Sequence, residues 1–262
     1  MIVQAGRPEP RVLPHGLSRA FLLPLAASGI AVVVMQVVVV RLPHTPWPEV
    51  DGVVGFGLCL LPVAWLVWVL CSWHVSAPLL ALACVVALGF ALVMAWRGHF
   101  TVAVPFQVVA AAGLGIMLAR QVAAAWWLAA FAGVAIMADA WSVFAGPTRR
   151  VVEQAPGVLD YVLVHSSPLG GPLAGLGLGM SDLVFLAFFL AGSRALGLNV
   201  RGGYAAMLGS FVVTVMLAVW WKPAVPALPL LSLAFLAINI PLWAAMARHR
   251  RGGGAGGGRE AT

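Results

Sequence analysis

Charged residues are scarce in this sequence. They make up 9% of its 262 residues, against about 25% in a typical soluble domain. Hydrophobic residues make up 62% of the chain, and the mean hydropathy is +1.01. A chain with so few charges cannot cover the surface of a water-soluble fold. The composition therefore excludes a soluble enzyme and predicts that a lipid bilayer is the main solvent.

Acidic residues are the rarer charge type, with 8 Asp and Glu against 15 Lys and Arg. The basic residues lie at the chain ends or between apolar runs, where their distribution indicates the orientation of the chain in the membrane. We therefore expect no nucleic-acid partner.

Cysteine is also scarce. Cys59, Cys71 and Cys84 lie within or beside apolar runs and lack the spacing of metal ligands. We interpret them as packing residues and expect no metal and no cofactor.

Long apolar runs are abundant. Eight of them are long enough to cross about 30 Å of hydrocarbon as helices. The first contains 20 residues, which exceeds the apolar core of about 7–15 residues in a cleaved signal peptide, so we expect a retained span. The eight runs cover residues 21–40, 53–72, 75–96, 100–119, 122–145, 173–193, 203–221 and 224–247.

The predicted fold class is an all-α, polytopic transmembrane helical bundle of about eight spans, with seven to nine as the range. We expect an N-terminal cytoplasmic segment at 1–20, N-terminal transmembrane helices at 21–119, a transmembrane region with two aspartates at 120–247 and a disordered Gly/Arg-rich tail at 248–262. Ten basic residues lie on the side of the two termini and five on the other side. Because positive charge favours the cytoplasmic side, both termini are predicted to be cytoplasmic.

Two aspartates interrupt otherwise uncharged runs. Asp139 lies in the fifth run and Asp182 in the sixth. An ionised aspartate near the middle of a membrane helix costs about 2.5–3.5 kcal/mol, so such residues are rare and usually functional. Counted from the connecting loop 146–172, they lie about 12 Å and 15 Å along their helices. At this matched depth the two carboxyls can meet if the helices touch.

A repeat of glycine indicates such a contact. Gly171, Gly175 and Gly179 recur at every fourth residue, and Asp182 follows the last by three. Small residues at this spacing allow close helix approach in membranes. In the loop before them, the segment from Val158 to Val164 is a candidate for a short strand.

Two neighbouring carboxyls in a poorly solvated site cannot both ionise easily, so the pair holds one proton. This is the working state of an aspartic protease, in which one oxygen activates water while the other acid donates to the scissile carbonyl. The residues leave an alternative open. Each aspartate could instead form a hydrogen bond with a polar neighbour such as Ser142, Ser181 or Gln107, or serve in a proton relay.

Three ordered motifs carry a resemblance to a known family. They are DAWSVFAGPTRRVVE from Asp139 to Glu153, GLGMSDLVFLAFFL from Gly177, and the Pro-Ala-Leu-Pro sequence that begins at Pro226. In content, order and spacing they resemble the two aspartate segments and the PAL motif of presenilins and signal peptide peptidases, which are intramembrane aspartyl proteases. The similarity extends over about residues 120–243, and the chain resembles a short prokaryotic member.

The resemblance implies that Asp139 and Asp182 are the catalytic pair. It also implies that the substrate site is formed by Pro226, Ala227, Leu228, Pro229, Gly179 and Ser181. The implied substrate is a transmembrane helix or signal-peptide remnant, cut in the cell membrane of a prokaryote by a multi-pass chain without obligatory partner subunits. Two prolines three residues apart break a membrane helix and leave backbone groups that an unwound substrate could pair with.

Other classes fit the residues less well. A site-2 type metalloprotease needs His-Glu-x-x-His, but Glu follows none of the six histidines. A rhomboid-type serine protease needs a histidine on a second helix, and the only histidine after Ser181 is His249, beyond the last run. A proton-coupled transporter or channel and a catalytically inactive presenilin-like scaffold remain as alternatives.

Overall fold

The computed structural model describes residues 19–73, 75–144, 146, 154, 157, 161, 163–171, 176–221 and 225–245. Most of the expected N-terminal segment 1–20, the whole tail 248–262 and most of the loop after Pro147 lie outside these described residues. The structural statements below concern the described residues only.

The described chain is mostly helical and follows the apolar runs. Two glycines with positive φ end helices: Gly98, at +77°, follows α3, and Gly197, at +69°, follows α6. Both φ values lie in the left-handed region that glycine adopts without strain. The helices are α1 (Arg19–Arg41), α2 (Pro48–Cys71), α3 (Ala77–Trp96), α4 (Phe100–Ala119), α5 (Ala125–Phe144), α6 (Met180–Leu196), α7 (Val200–Trp221) and α8 (Ala227–Ile238).

Six of these helices, α1 to α5 and α7, are long and apolar enough to cross a membrane. A mostly helical, multi-pass membrane protein is therefore supported by the described structure. Helix α6 has 17 residues and α8 has 12, so both are shorter than the runs that predicted them.

The sixth and eighth runs are the two that depart from a single helix. The sixth run was predicted as a helix over 173–193, but residues 176–179 form a strand and α6 begins at Met180. The eighth run, predicted over 224–247, is interrupted at Asn239, after which residues 240–245 are again helical. Pro241 accounts for this break because it has no N–H to continue the helical hydrogen bonds.

A two-stranded antiparallel hairpin is the one departure from the all-α prediction among the described residues. Strand β1 (Leu163–Ser166) pairs with β2 (Leu176–Gly179), with Leu163 opposite Gly179 and His165 opposite Gly177. Strand β1 overlaps the candidate strand segment only at Leu163 and Val164. The chain passes from β2 directly into α6, so the hairpin fixes where α6 begins.

Strand β1 and the segment that follows it are anchored on α1 and α2. The Gln36 side chain donates to the His165 carbonyl at 2.7 Å, and the Leu169 N–H donates to the Asp51 carbonyl at 3.1 Å. Gly55 of α2 lies directly beneath this segment: a Cβ there would lie 2.9 Å from the Leu169 nitrogen, closer than side chains tolerate. The hairpin is therefore held against the N-terminal helices.

The glycine stripe does not form a helix face. Gly171 lies in a bend, Gly179 ends β2, and Gly175 is outside the described residues. The close helix contact instead involves Gly115 of α4, which packs against α6. A Cβ at Gly115 would meet the Val184 carbonyl oxygen and lie 2.9 Å from the Ala187 Cβ.

The core surrounds α6, which packs against α2, α4, α7 and α8. Phe189 of α6 and Phe235 of α8 are fully buried and stack with ring centroids 4.3 Å apart. Burial of large aromatic side chains with offset or tilted rings is a major contribution to packing. This contact fixes α8 against α6 and so positions the N-terminus of α8 near the start of α6.

Candidate active site

Asp182 lies in the first turn of α6, as its third residue, and only 8% of it is exposed. Its Oδ2 accepts a hydrogen bond of 3.0 Å from the backbone N–H of Gly179, the residue before the helix. A carboxylate in this position satisfies a free backbone donor and interacts favourably with the positive end of the helix dipole. Asp182 therefore lies at the start of its helix. The run 173–193 had predicted a position deep in the middle of a helix.

Asp139 lies near the C-terminal end of α5 and is half-buried. Its Oδ2 accepts a hydrogen bond of 3.1 Å from the backbone N–H of Leu228. Leu228 is in the first turn of α8, where the backbone N–H groups have no partner within the helix. The Leu228 N–H is therefore a donor that only a group outside the helix can satisfy.

The two carboxyl groups lie close enough for their charges to interact. Each carboxylate is bound through one oxygen by a backbone N–H at a helix N-terminus, α8 for Asp139 and α6 for Asp182. Two helix N-termini thus offset part of the cost of placing acids in a poorly solvated region.

The Pro-Ala-Leu-Pro sequence forms the entry into α8. Pro226 precedes the helix in an extended conformation, with φ −66° and ψ 125°. Ala227 and Pro229 lie in the first turn and are partly buried, while Leu228 is buried. The motif is therefore the element that directs a backbone donor towards Asp139.

Gly179 and Ser181 lie on either side of the start of α6. A Cβ at Gly179 would lie 3.0 Å from Asp182 Oδ2 and 3.2 Å from Ser181 Oγ, so the absence of a side chain allows Asp182 to fold back onto the Gly179 N–H. Ser181 is exposed. The structure therefore brings Asp139, Asp182, Gly179 and Leu228 together, and it leaves Ser181 at the outer side of this group.

Gln107 has a different partner from the one suggested as an alternative. Its side chain is buried and donates to the Tyr161 carbonyl at 3.3 Å. It thereby links α4 to the segment that leads into the hairpin. Its amide nitrogen supports the backbone around the site, whereas the carboxylate partners found for both aspartates are backbone N–H groups.

Comparison with known proteins adds no relative: no protein-family model and no curated protein matches the chain.

Proposed function

We propose that this protein is an intramembrane aspartyl protease of the presenilin and signal peptide peptidase group. It hydrolyses peptide bonds within transmembrane segments or signal-peptide remnants. The observations that support the proposal are the charge interaction between Asp139 and Asp182 and the hydrogen bond to Asp139 from the N–H of Leu228 in the Pro-Ala-Leu motif. Three motifs that are separate in the sequence thus contribute to one site.

In the proposed mechanism the carboxyl pair holds a single proton and binds one water molecule. The ionised carboxylate takes a proton from the water as it attacks the scissile carbonyl, and the protonated partner donates its proton to the carbonyl oxygen. The C–N bond of the tetrahedral intermediate then breaks, and the leaving amine takes a proton from the carboxyl that acted as base. The other carboxylate takes a proton from a hydroxyl of the intermediate, which forms the new carboxyl terminus and leaves one proton on the pair. Net consumption is one water for each peptide bond, and no covalent enzyme intermediate forms.

Strand β2 is the proposed binding edge for the substrate. In a membrane helix the scissile amide is shielded by its own hydrogen bonds, so the substrate must unwind before water can attack. Strand β1 occupies one edge of β2, and within the described residues the sheet has no third strand. An extended substrate segment could add to the other edge of β2, where its backbone N–H and C=O groups would form hydrogen bonds with the strand. It would then run past Gly179 towards Asp182.

The cellular setting follows from the same proposal. We place the chain in the cytoplasmic membrane of a prokaryote, with both termini in the cytoplasm and α6 and α8 completing a bundle of about eight membrane-embedded helices. It acts on a transmembrane helix without obligatory partner subunits.

The direct test is cleavage by the purified full chain in detergent or liposomes. Single-span substrates would be incubated with the protein in ¹⁸O-labelled water, and products mapped by mass. The proposal predicts a cut within the hydrocarbon segment, incorporation of ¹⁸O into the new carboxyl terminus, and inhibition by an aspartyl transition-state analogue. Cuts confined to exposed loops, or cuts insensitive to the analogue, would contradict it. Substrate binding without any cut would indicate the inactive scaffold, and proton flux without a cut would indicate a transporter.

A further inference from the structure

A cavity of about 320 Å³ lies between the C-terminal end of α4, the N-terminal half of α5 and α6. Its walls are almost entirely apolar, and four of its lining residues are aromatic: Trp127, Phe131, Phe185 and Phe188. We propose that this cavity binds one acyl chain of an anionic phospholipid. The proposal concerns a site apart from the two aspartates and does not depend on the proposed protease activity.

The cavity opens towards the lipid. Trp127 and Phe131, which form its wall on α5, are each 45% exposed. Phe131 meets Phe188 of α6 edge to face with ring centroids 5.3 Å apart, and this contact spans the gap between the two helices. A chain from the surrounding bilayer can therefore enter between α4 and α5 without unfolding either helix.

The polarity of the cavity disfavours an unwound peptide as its occupant. Each buried N–H and C=O group of an extended peptide would need a partner. Among the residues lining the cavity, only the Gln121 amide and the Trp127 indole N–H offer polar side-chain groups. A hydrocarbon chain needs no such partners.

The residue that precedes Gln121 in the sequence supplies a binding group for a headgroup. Arg120 immediately precedes the lining residue Gln121 and is exposed. Within the described part of the chain, no ion pair involves Arg120. A guanidinium binds phosphate oxygens through paired N–H donors, and the Gln121 amide adds a further donor. This charge favours an anionic phospholipid over a zwitterionic one.

Photo-crosslinking tests the proposal. The full chain would be placed in phosphatidylcholine nanodiscs containing small amounts of phosphatidylglycerol with a diazirine in one acyl chain. After irradiation, labelled residues would be mapped by mass. The expected result is labelling concentrated at Phe131, Phe185 and Phe188 that saturates with probe and is displaced by unlabelled phosphatidylglycerol. Labelling spread over all lipid-facing helices in proportion to exposure, and rising linearly with probe, would overturn the proposal.

Matched variants locate the site. Val184→Trp fills the cavity, and Val85→Trp makes the same change on α3, where Val85 is 69% exposed outside the cavity. We expect V184W to reduce labelling at least fivefold and V85W to leave it unchanged. Val122→Trp fills the cavity from the α4–α5 connection and replaces V184W if that variant does not fold. Undiminished labelling in a folded filling variant would contradict the site.

The headgroup is tested with Arg120→Gln and a phosphatidylcholine probe that carries the same diazirine chain. A single basic residue at a membrane surface contributes roughly a fivefold preference for anionic lipid. We expect the wild-type chain to prefer phosphatidylglycerol by at least that factor and R120Q to lose the preference. Equal labelling of the wild-type chain by the phosphatidylglycerol and phosphatidylcholine probes would overturn the assignment of an anionic lipid.

Discussion

The Leu228 N–H donates to Asp139 Oδ2 at 3.1 Å and joins the N-terminus of α8 to the C-terminal half of α5. This bond explains why a proline-bounded helix start lies beside a membrane acid. Pro226 and Pro229 limit the donors of that turn, and the Leu228 N–H remains to stabilise a carboxylate. The same bond holds one oxygen of Asp139, so it is a positioning contact for the proposed pair.

Removal of this donor is expected to reduce the rate of cleavage. Leu228→Pro lacks the N–H, whereas Leu228→Ala keeps it and loses only side-chain packing. Since a hydrogen bond to a charged group contributes about 1.5–3 kcal/mol, L228P should have a kcat roughly 10–150-fold below that of L228A. The comparison is made by steady-state cleavage on folded, monodisperse protein. Equal kcat values for the two variants would exclude a functional role for this N–H.

A side chain at Gly179 is expected to displace the Asp182 carboxylate. The new Cβ of Gly179→Ala would lie 3.0 Å from Oδ2, so the hydrogen bond from the Gly179 N–H should lengthen and kcat should fall about tenfold or more. Gly133→Ala is the matched control, because a Cβ there meets nothing within 4 Å. Both variants are compared by cleavage rate and thermal unfolding. Full activity in G179A would show that the site tolerates a shift of Asp182.

Substitution of Gly115 is expected to affect stability. In Gly115→Ala the new Cβ would meet the backbone of α6 at Val184 and lie 2.9 Å from Ala187 Cβ. Backbone cannot move aside as a flexible side chain can, so we expect a loss of about 1–3 kcal/mol in the free energy of unfolding. Gly57→Ala, with open space around the new Cβ, should be neutral. Denaturant unfolding in mixed micelles measures both, and equal stabilities would contradict the close α4–α6 contact.

The proposed pair also predicts a bell-shaped pH dependence of kcat/KM. At low pH both carboxyls are protonated and no base remains to activate water. At high pH both are ionised and no acid remains to protonate the carbonyl, so the rate falls on each side. The measurement is initial cleavage rates over a range of pH in which the fold is unchanged by circular dichroism. A rate independent of pH across that range would contradict a pair that shares one proton.

The helical, multi-pass architecture could be predicted from the sequence because long uncharged apolar runs have few alternatives in a bilayer. The strand at 176–179 could not. Its Leu-Gly-Leu-Gly sequence is as apolar as a helical run, and its partner β1 lies beyond a long connection. The interruption at Asn239 had a signal in Pro241, but the run 224–247 is apolar throughout and was predicted as a single helix.

The candidate site was only partly accessible to sequence reasoning. Residue type and order identified Asp139, Asp182 and the Pro-Ala-Leu-Pro sequence as candidates, but the contacts that hold them are made by backbone N–H groups. The positions of these N–H donors depend on where each helix begins. The side chains at Gly179 and Leu228 give no indication of those helix starts. The packing role of Gly115 was also missed, since a single glycine in an apolar run has no distinctive pattern around it.

The central claim, that Asp139 and Asp182 act together on a peptide bond, is tested most directly by single carboxyl-to-amide substitutions. Asp139→Asn and Asp182→Asn would be assayed beside the wild-type chain on a transmembrane substrate, with Glu49→Gln as a control for the same chemical change at an exposed acid on α2. The account predicts an intramembrane cut by the wild type and E49Q, and loss of that cut in both aspartate variants while the helical fold is retained. Cleavage at the wild-type rate by either D139N or D182N would contradict it.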